Sequence, residues 1–309
     1  IRKFRPDVII TRFPGDERAG HGHHQASQIL AQEAFAAAAD PTKFTEQFKY
    51  GVQPWQAKRI IWNTFNFGST NTTNEQQFKI DVGVYNSLLG KSYGEIASES
   101  RSQHKSQGFG VPRQRGQQYE YFQHTAGDSL KTGLMDGVNT GWSRLTDGAA
   151  IETAVSAIIS QYNFEHPENA VPALVQLHKK IKSLPDGYWR NKKLDEVQQL
   201  IFACCGLFAE SSSNNEYAVQ GSSVKTQLFV NKGSNATVKL TKLQLLSFDT
   251  SMNYELSSNK NYSISKSFTT PVDAALSQPY WLEKPVNKGS YDVGNQALIG
   301  KPQNDPAFS

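Results

Sequence analysis

The stretch DVIITRFPGDERAGHGHHQASQILAQEAFAAAA, residues 7–39, joins an apolar run to an alanine-rich segment through a polar loop. The short run at residues 7–11 is dominated by β-branched residues, with Val8, Ile9 and Ile10 at its centre, so we predict a buried strand there. The alanine-rich segment predicts a helix, because its apolar residues recur at helical spacing: Ile29, Leu30, Ala34, Phe35 and Ala38. The loop ends in the histidine motif HGHH at residues 21–24. Open α/β sheets bind ligands where their strands end, and neutral imidazoles bind metals, so this corner is the first candidate site.

Composition limits the class of protein. The chain has 309 residues and a net charge of +4, and this length suffices for two domains, each with its own core. Lysine and arginine are scattered rather than clustered with aromatic residues, so we expect no nucleic-acid partner. No apolar run is long enough to cross a bilayer, so we expect no membrane span. Cys204 and Cys205 are neighbours in an apolar stretch; adjacent cysteines pair only under strain, which predicts buried thiols.

The first part of the chain alternates between strand and helix patterns. Residues 58–65 predict a second buried strand, residues 78–82 a shorter and more exposed one, and residues 119–124 a further strand. Between them, residues 85–102 predict a helix. The order β-α-β-β-α-β favours an α/β layer in this part of the chain.

The position of the opening strand suggests a larger protein. The chain begins with Ile1 and enters its first strand by residue 7, whereas a doubly wound domain normally has an earlier strand and a loop after it. We therefore expect a piece of a longer protein, with a missing N-terminal segment that completes the sheet.

The predicted secondary structure changes twice in the second half of the chain. Residues 141–210 predict a helical linker or subdomain. Its three helices are predicted at residues 149–162, 170–184 and 193–209, and proline-containing breaks separate them. Residues 211–309 predict short strands punctuated by turn residues, among them 224–230 and 236–240 around a turn. Strands of this kind favour a C-terminal β-sandwich accessory module.

The HGHH motif suggests a metal site without establishing one. Histidines three positions apart lie on the same side of the first helical turn, so His21 and His24 can converge. A hydrolytic zinc site, however, needs three protein ligands and an open position for water. The alternative is a polar loop whose imidazoles cap a helix or meet solvent. The other lone histidines, His124, His166 and His178, are predicted to be structural.

Two segments carry a resemblance to a known family. PDVIITRFPGDERAGHGHHQAS resembles the second signature of the PIG-L or LmbE-like zinc-dependent de-N-acetylases, in which a strand leads into an HPDH-type motif. RSQHKSQGFG, residues 101–110, resembles the later H-x-S-Q segment of that family. Together they span roughly the first 125 residues, in the family's order. The resemblance implies that residues 1–140 are the C-terminal part of an LmbE-like deacetylase domain, with a partial Rossmann-like α/β layer.

The resemblance implies roles for the histidines of the motif. It implies that His24 is a zinc ligand and that His21 stabilises the charge that develops on the substrate's carbonyl oxygen. Where the family usually has Pro-Asp, this chain has Gly22-His23. The carboxylate that could orient His21 is therefore replaced.

Three further side chains are candidates for substrate binding. By its match to H-x-S-Q, His104 is a candidate for the pocket wall; the alternative is a surface histidine at a helix end. Arg12 and Arg18 lie in the loop of the histidine motif and could meet an anionic or hydroxyl-rich substrate. Outside this region, Tyr280 and Trp281 could contact a glycan from the β module.

The family's first signature, AHPDDE, is absent from these 309 residues. In the family it supplies two further zinc ligands and the aspartate that acts as general base. The resemblance thus implies one zinc ligand of three in this chain, which should be inactive by itself and bind metal weakly.

Two functions from different classes follow. The resemblance implies that the intact protein is a zinc-dependent hydrolase that removes the N-acetyl group from N-acetylglucosamine-type amino sugars or glycoconjugates. The alternative is a non-catalytic glycan-binding or scaffolding protein with a degenerate deacetylase-like domain. By analogy with exported polysaccharide-handling proteins, an appended β-sandwich favours an extracytoplasmic location.

Overall fold

The computed structural model describes residues 1–107, 110–245 and 248–301. The chain divides into two compact units, Ile1–Val138 and a second that begins at Asn139. Both helices and sheets are present, so the predicted mixed α/β class is confirmed. None of the helices in the described ranges combines the length and the apolar character that a bilayer crossing requires.

The first unit contains eight strands and two α-helices among its described residues. In chain order they are β1 (Val8–Thr11), α1 (Gly22–Ala39), β2 (Arg59–Thr64), β3 (Asn66–Phe67), β4 (Thr70–Asn71), β5 (Phe78–Asp81), β6 (Tyr85–Asn86), β7 (Lys91–Ser92), α2 (Tyr93–Ser102) and β8 (Tyr119–Gly127).

A mixed four-stranded sheet, in the order β1-β2-β8-β5, organises this unit. Strand β1 runs parallel to β2, with Ile9 opposite Ile60, whereas β8 is antiparallel to both β2 and β5. The four strands predicted from sequence are confirmed. Because α1 connects two parallel neighbours, β1, α1 and β2 form a βαβ unit, and the loop after β1 lies at the carboxyl end of the parallel pair.

The prediction that β1 is a buried strand is wrong. In the described sheet β1 is an edge strand, and Ile10 is 50% exposed. The buried centre is β2, where Ile60 and Ile61 have no exposed surface. An apolar β-branched run favours a strand, but it does not say how many neighbours that strand has.

Helix α1 forms as predicted, but it buries a different row of side chains. Phe35 packs against Ala57 and Ile60, with Ala31 alongside, and Gln28 is also buried. Positions 28, 31, 35 and 38 follow the i, i+3, i+7 rule. Ile29 and Leu30, which the helical spacing places on the predicted apolar face, are exposed.

The helix predicted at residues 85–102 begins later than expected. The strands β6 and β7 form a short hairpin, and α2 begins only after Ser92. Ser92 Oγ accepts the backbone N–H of Glu95, and the Glu95 carboxylate accepts the backbone N–H of Ser92. This capping box fixes the start of the helix.

Two buried arginines hold loops of the first unit. The Arg2 guanidinium donates to the carbonyls of Ala37, Ala38 and Asp40 at the end of α1, which are acceptors that a helix end leaves unpaired. The Arg59 guanidinium donates to the carbonyls of Asp128, Leu134 and Asp136. Arg59 therefore ties the loop after β8 to the central strand.

The second unit begins with three helices, α3 (Ala149–Gln161), α4 (Val171–Lys182) and α5 (Tyr188–Cys204). They enclose a hydrophobic core that comprises Ile151, Leu174, Leu177, Ile181, Leu184, Val197 and Cys204. Cys204 and Cys205 are free and buried, as predicted. The first two helices match their predicted ranges closely.

The third helix begins and ends earlier than its predicted range, residues 193–209. It begins at Tyr188 and ends at Cys204, after which Gly206 takes a positive φ of 59°. A residue with this backbone angle stops a helix, and glycine adopts it without a steric penalty. The next strand then begins at Leu207.

Five strands follow: β9 (Leu207–Ser213), β10 (Ser223–Lys232), β11 (Lys239–Leu245), β12 (Phe248–Glu255) and β13 (Asn261–Thr269). The strand predicted at 224–230 is confirmed as part of β10. The one predicted at 236–240 is wrong in its first half, since β11 starts at Lys239. These two strands do not pair with each other: β10 lies between β13 and β9, and β11 pairs with β12. The β-sandwich stays a prediction.

Candidate functional site

The loop from β1 to α1 forms the candidate site. A short 3-10 helix, Glu17–Ala19, follows Asp16, and Gly20 ends it with a positive φ of 78°. His21 is the N-cap of α1 and has extended backbone angles, but its side chain makes no capping hydrogen bond. Helix capping therefore does not account for this imidazole, which is exposed.

His24 is held from two sides. Its ring stacks on Phe13 with 3.8 Å between the centroids, and its Nδ1 lies 3.2 Å from the carbonyl oxygen of Ala19. A backbone acceptor at this distance favours the tautomer with the proton on Nδ1, which leaves the Nε2 lone pair available. The His21 ring meets the His24 ring edge-on at 5.1 Å. The structure thus brings the two predicted site histidines together.

Arg12 lies in the same loop but is already paired. Its guanidinium donates to the side-chain oxygen of Asn63 and lies 3.4 Å from a carboxylate oxygen of Glu120. Its backbone carbonyl accepts the indole N–H of Trp62 at 3.2 Å. Half of the side chain remains exposed. Arg12 could therefore meet a ligand without giving up its fixed position.

Arg18 forms a two-point contact with Asp16. Its Nε and one terminal nitrogen donate to the two carboxylate oxygens at 2.9 and 2.7 Å. The side-chain hydrogen bond from Arg18 lowers the pKa of Asp16, and the same bond raises the pKa of Arg18. The pair therefore stays ionised at neutral pH. The guanidinium also lies over the Trp62 ring, 5.5 Å from its centroid.

A cavity of about 420 Å³ opens between the middle of α1 and the sheet. Trp62 forms part of its wall, together with Asp16 and Arg18. Thr125 and Gln123 contribute from β8, where the register with β2 shifts between Ile60 and Ile61. A bulge of this kind re-aims side chains next to a site.

Gln28 also lines this cavity and is only 5% exposed. Its side-chain oxygen has no hydrogen-bond partner within the part of the chain that the structure describes. Neither Gln28 nor Trp62 was among the predicted site residues. Only their spacing could have indicated them. Trp62 lies two residues after Ile60 on β2, and Gln28 lies seven residues before Phe35 on α1, so each shares a face of its element with a core residue.

His104 is not brought to the histidine pair. It is exposed just beyond α2, where its backbone N–H donates to the carbonyl of Arg101. Over the described ranges, no hydrogen bond or ring contact joins it to His21 or His24. Gly108 and Phe109, near the end of the RSQHKSQGFG segment, lie outside the described residues.

The described residues include one histidine suited to bind zinc, but they do not form a complete zinc site. His24 has the arrangement of a metal-ligating histidine, because one ring nitrogen contacts a carbonyl and the other is available. Within residues 1–107, 110–245 and 248–301, no group of three or more histidine, cysteine, aspartate or glutamate side chains is placed to hold a metal ion.

Comparison with family models, with curated proteins and with solved structures finds no match to this chain.

Proposed function

We propose that this chain is part of a zinc-dependent hydrolase that removes the N-acetyl group from N-acetylglucosamine-type amino sugars or glycoconjugates. The observation that carries the proposal is the contact between His21 and His24 at the start of α1, directly beyond the parallel strands β1 and β2. This corner is where α/β sheets place their chemistry. The resemblance of residues 6–27 to PIG-L and LmbE-like de-N-acetylases supplies the reaction type.

The proposal gives the two histidines separate tasks. His24 binds the zinc ion through Nε2, while Phe13 and the Ala19 carbonyl keep its ring in place. His21, exposed beside it, donates a hydrogen bond to the oxyanion that forms from the acetamide carbonyl. When bound, zinc supplies polarisation of the carbonyl and activation of a water molecule. The proposal requires two further ligands and a general base beyond the residues described.

The neighbouring cavity is proposed to receive the sugar. An aromatic wall, Trp62, lies beside the paired charges of Arg18 and Asp16. A pyranose ring has apolar C–H faces and a polar hydroxyl edge, which suit these two kinds of surface. Arg12 is proposed to contact the substrate from the loop, whereas His104 is not among the residues that line this cavity.

The finer fold assignment also belongs to the proposal. A Rossmann-like layer over residues 1–140 is supported by the parallel βαβ unit of β1, α1 and β2. An accessory β-sandwich over residues 211–309 is supported by the antiparallel strands β9 to β13, which follow the helices of residues 141–210.

A second function has its own support. A non-catalytic glycan-binding or scaffolding protein is favoured by Gly22-His23, which stands where a catalytic family member has Pro-Asp. The incomplete donor set around His24 within the described ranges points the same way. The two functions differ in whether acetate is released.

The test uses the full-length product of the gene that encodes this chain. Loaded with zinc, it should release acetate from N-acetylglucosamine and its β-linked oligomers, and a chelator should stop the release. The 309-residue chain alone should release none. If no amino sugar yields acetate while glycan affinity maps to residues 211–309, the binding function replaces the hydrolase.

A further inference from the structure

A larger cavity, of about 600 Å³, lies in the second unit. It is bounded by the sheet of β9, β10 and β13 and by residues 274–278. Its volume falls within the range of small-molecule sites. Its lining shares no residue with the histidine corner, and none of its residues takes part in the proposed hydrolysis.

The floor of the cavity is pre-formed. Val224 and Thr226 of β10 are buried, and so is Thr270, which follows β13. The Thr270 hydroxyl lies 2.6 Å from the carbonyl oxygen of Val219 and fixes the loop before β10. The side-chain amide of Gln220 donates to the carbonyl of Ala274 at 2.6 Å and holds the opposite wall. A ligand would meet walls that are already ordered, which reduces the entropic cost of binding.

The polar part of the lining is mostly uncharged. It contains hydroxyl and amide side chains and one carboxylate, Glu216, but no lysine or arginine among the described residues. A site for phosphate or carboxylate ligands would need such cations. The side-chain amide of Asn215 and the hydroxyl of Ser211, which shares the face of Thr226 in the register of β9 and β10, make no hydrogen bond within the described ranges, so they are available to a ligand.

Apolar surface lies beside these polar groups. Tyr217 lines the cavity and is 79% exposed, and Phe268 and Leu276 add further apolar lining. An exposed aromatic ring next to unpaired hydroxyl and amide groups complements a sugar, whose C–H faces pack on the ring while its hydroxyls exchange hydrogen bonds.

We propose that the cavity formed by Ser211, Ser212, Asn215, Tyr217, Val224 and Phe268 is a binding site for neutral oligosaccharides. This site is independent of zinc and of acetate release. An extended peptide pairing with the edge strand β9 is the competing occupant, and the experiment distinguishes it.

The test is calorimetric titration of the full chain, with a chelator present, against four neutral probes: cellohexaose, chitohexaose, xylohexaose and mannohexaose. At least one should bind saturably. Tyr217→Ala should raise its Kd by at least about tenfold, because the loss of one aromatic packing contact has that size, and Asn215→Ala should also weaken binding. Tyr291→Ala is the matched control, since Tyr291 is 58% exposed and lies outside the cavity; it should leave the Kd unchanged.

Three results would overturn the proposal. These are the absence of binding to all four probes, a Kd that Tyr217→Ala leaves unchanged, and binding that only Trp281→Ala removes. Binding of a serine-rich unstructured peptide would assign the surface to peptide recognition instead, provided that the peptide protects the backbone amides of β9 from exchange and that none of the saccharides binds. Because the titration uses no zinc and measures binding rather than acetate release, its failure is distinguishable from failure of the hydrolase proposal.

Discussion

The imidazole of His24 lies flat against the ring of Phe13, with 3.8 Å between the centroids and 4° between the planes. The Ala19 carbonyl holds the same imidazole through Nδ1. Two contacts from the loop therefore fix both the position and the rotation of the ring, which is the support that a metal ligand needs from its surroundings.

Removal of the stacking partner should weaken the proposed zinc site and leave the fold intact. In the full-length protein, Phe13→Leu keeps an apolar side chain but loses the flat contact. We expect acetate release or zinc affinity to fall by about 10- to 100-fold, the usual effect of removing a group that supports a ligand. Phe67→Leu is the control, because Phe67 is also a phenylalanine of the first unit but is highly exposed. Equal activity of the two variants would mean that the stacking has no role in the site.

Arg2 should matter more for stability than an exposed neighbour does. Its guanidinium makes six hydrogen bonds, five of them to backbone carbonyls at and beyond the end of α1. Arg2→Ala removes all six hydrogen bonds, and we expect a loss of about 2–4 kcal/mol in the free energy of unfolding. Lys3→Ala, which changes an exposed side chain, should stay within about 0.5 kcal/mol of the parent.

Urea titration measures the free energy of unfolding of Arg2→Ala and Lys3→Ala, and amide hydrogen exchange shows which part of the chain loses stability. The last turn of α1 should lose protection in Arg2→Ala. Unchanged protection there, or equal urea midpoints for the two variants, would contradict the capping role.

The contribution of the loop after β8 to the stability of the fold should depend on pH, because the loop contains Asp136. Hydrogen bonds from the backbone N–H groups of Thr132 and Lys131 lower the pKa of Asp136 far below its ordinary value of 3.8. A group with a lowered folded-state pKa contributes stability above its unfolded pKa, and that contribution is lost as pH falls through the folded value. Asp136→Asn should therefore be less stable than the parent at pH 7, with a difference that shrinks below about pH 4.

Urea titrations at pH 7, 4 and 2.5 measure this difference. Thr132→Val removes only the hydroxyl that donates to Asp136 at 2.8 Å, so its effect should have the same sign and be smaller. A stability difference between Asp136→Asn and the parent that stays constant from pH 7 to pH 2.5 would contradict the linkage.

Local features of this chain were predictable, and features that depend on distant partners were not. The strand, the histidine loop and the helix of residues 7–39 follow from short-range patterns, and so does the convergence of His21 and His24. The edge position of β1 depends on which strands pair with it, which no local pattern records. The burial of Gln28 rather than Leu30 depends on how α1 lies on the sheet. The roles of Arg2 and Arg59 likewise require carbonyls that lie 35 or more residues away.

The second unit illustrates the same limit. The apolar pattern around Cys204 continues smoothly into β9, so the sequence predicted one long helix to residue 209. Gly206, with its positive φ, is the point where the chain changes from helix to strand. The pairing of β10 with β13 and β9 involves strands that had not been predicted as its neighbours.

The most direct test of the zinc-ligand assignment is the rate of acetate release from N-acetylglucosaminides by the zinc-loaded full-length protein and its His24→Ala variant. We predict that release falls to background in His24→Ala, and that it is unchanged in His166→Ala, a control that replaces an exposed histidine of the second unit. Undiminished acetate release by His24→Ala would contradict the account.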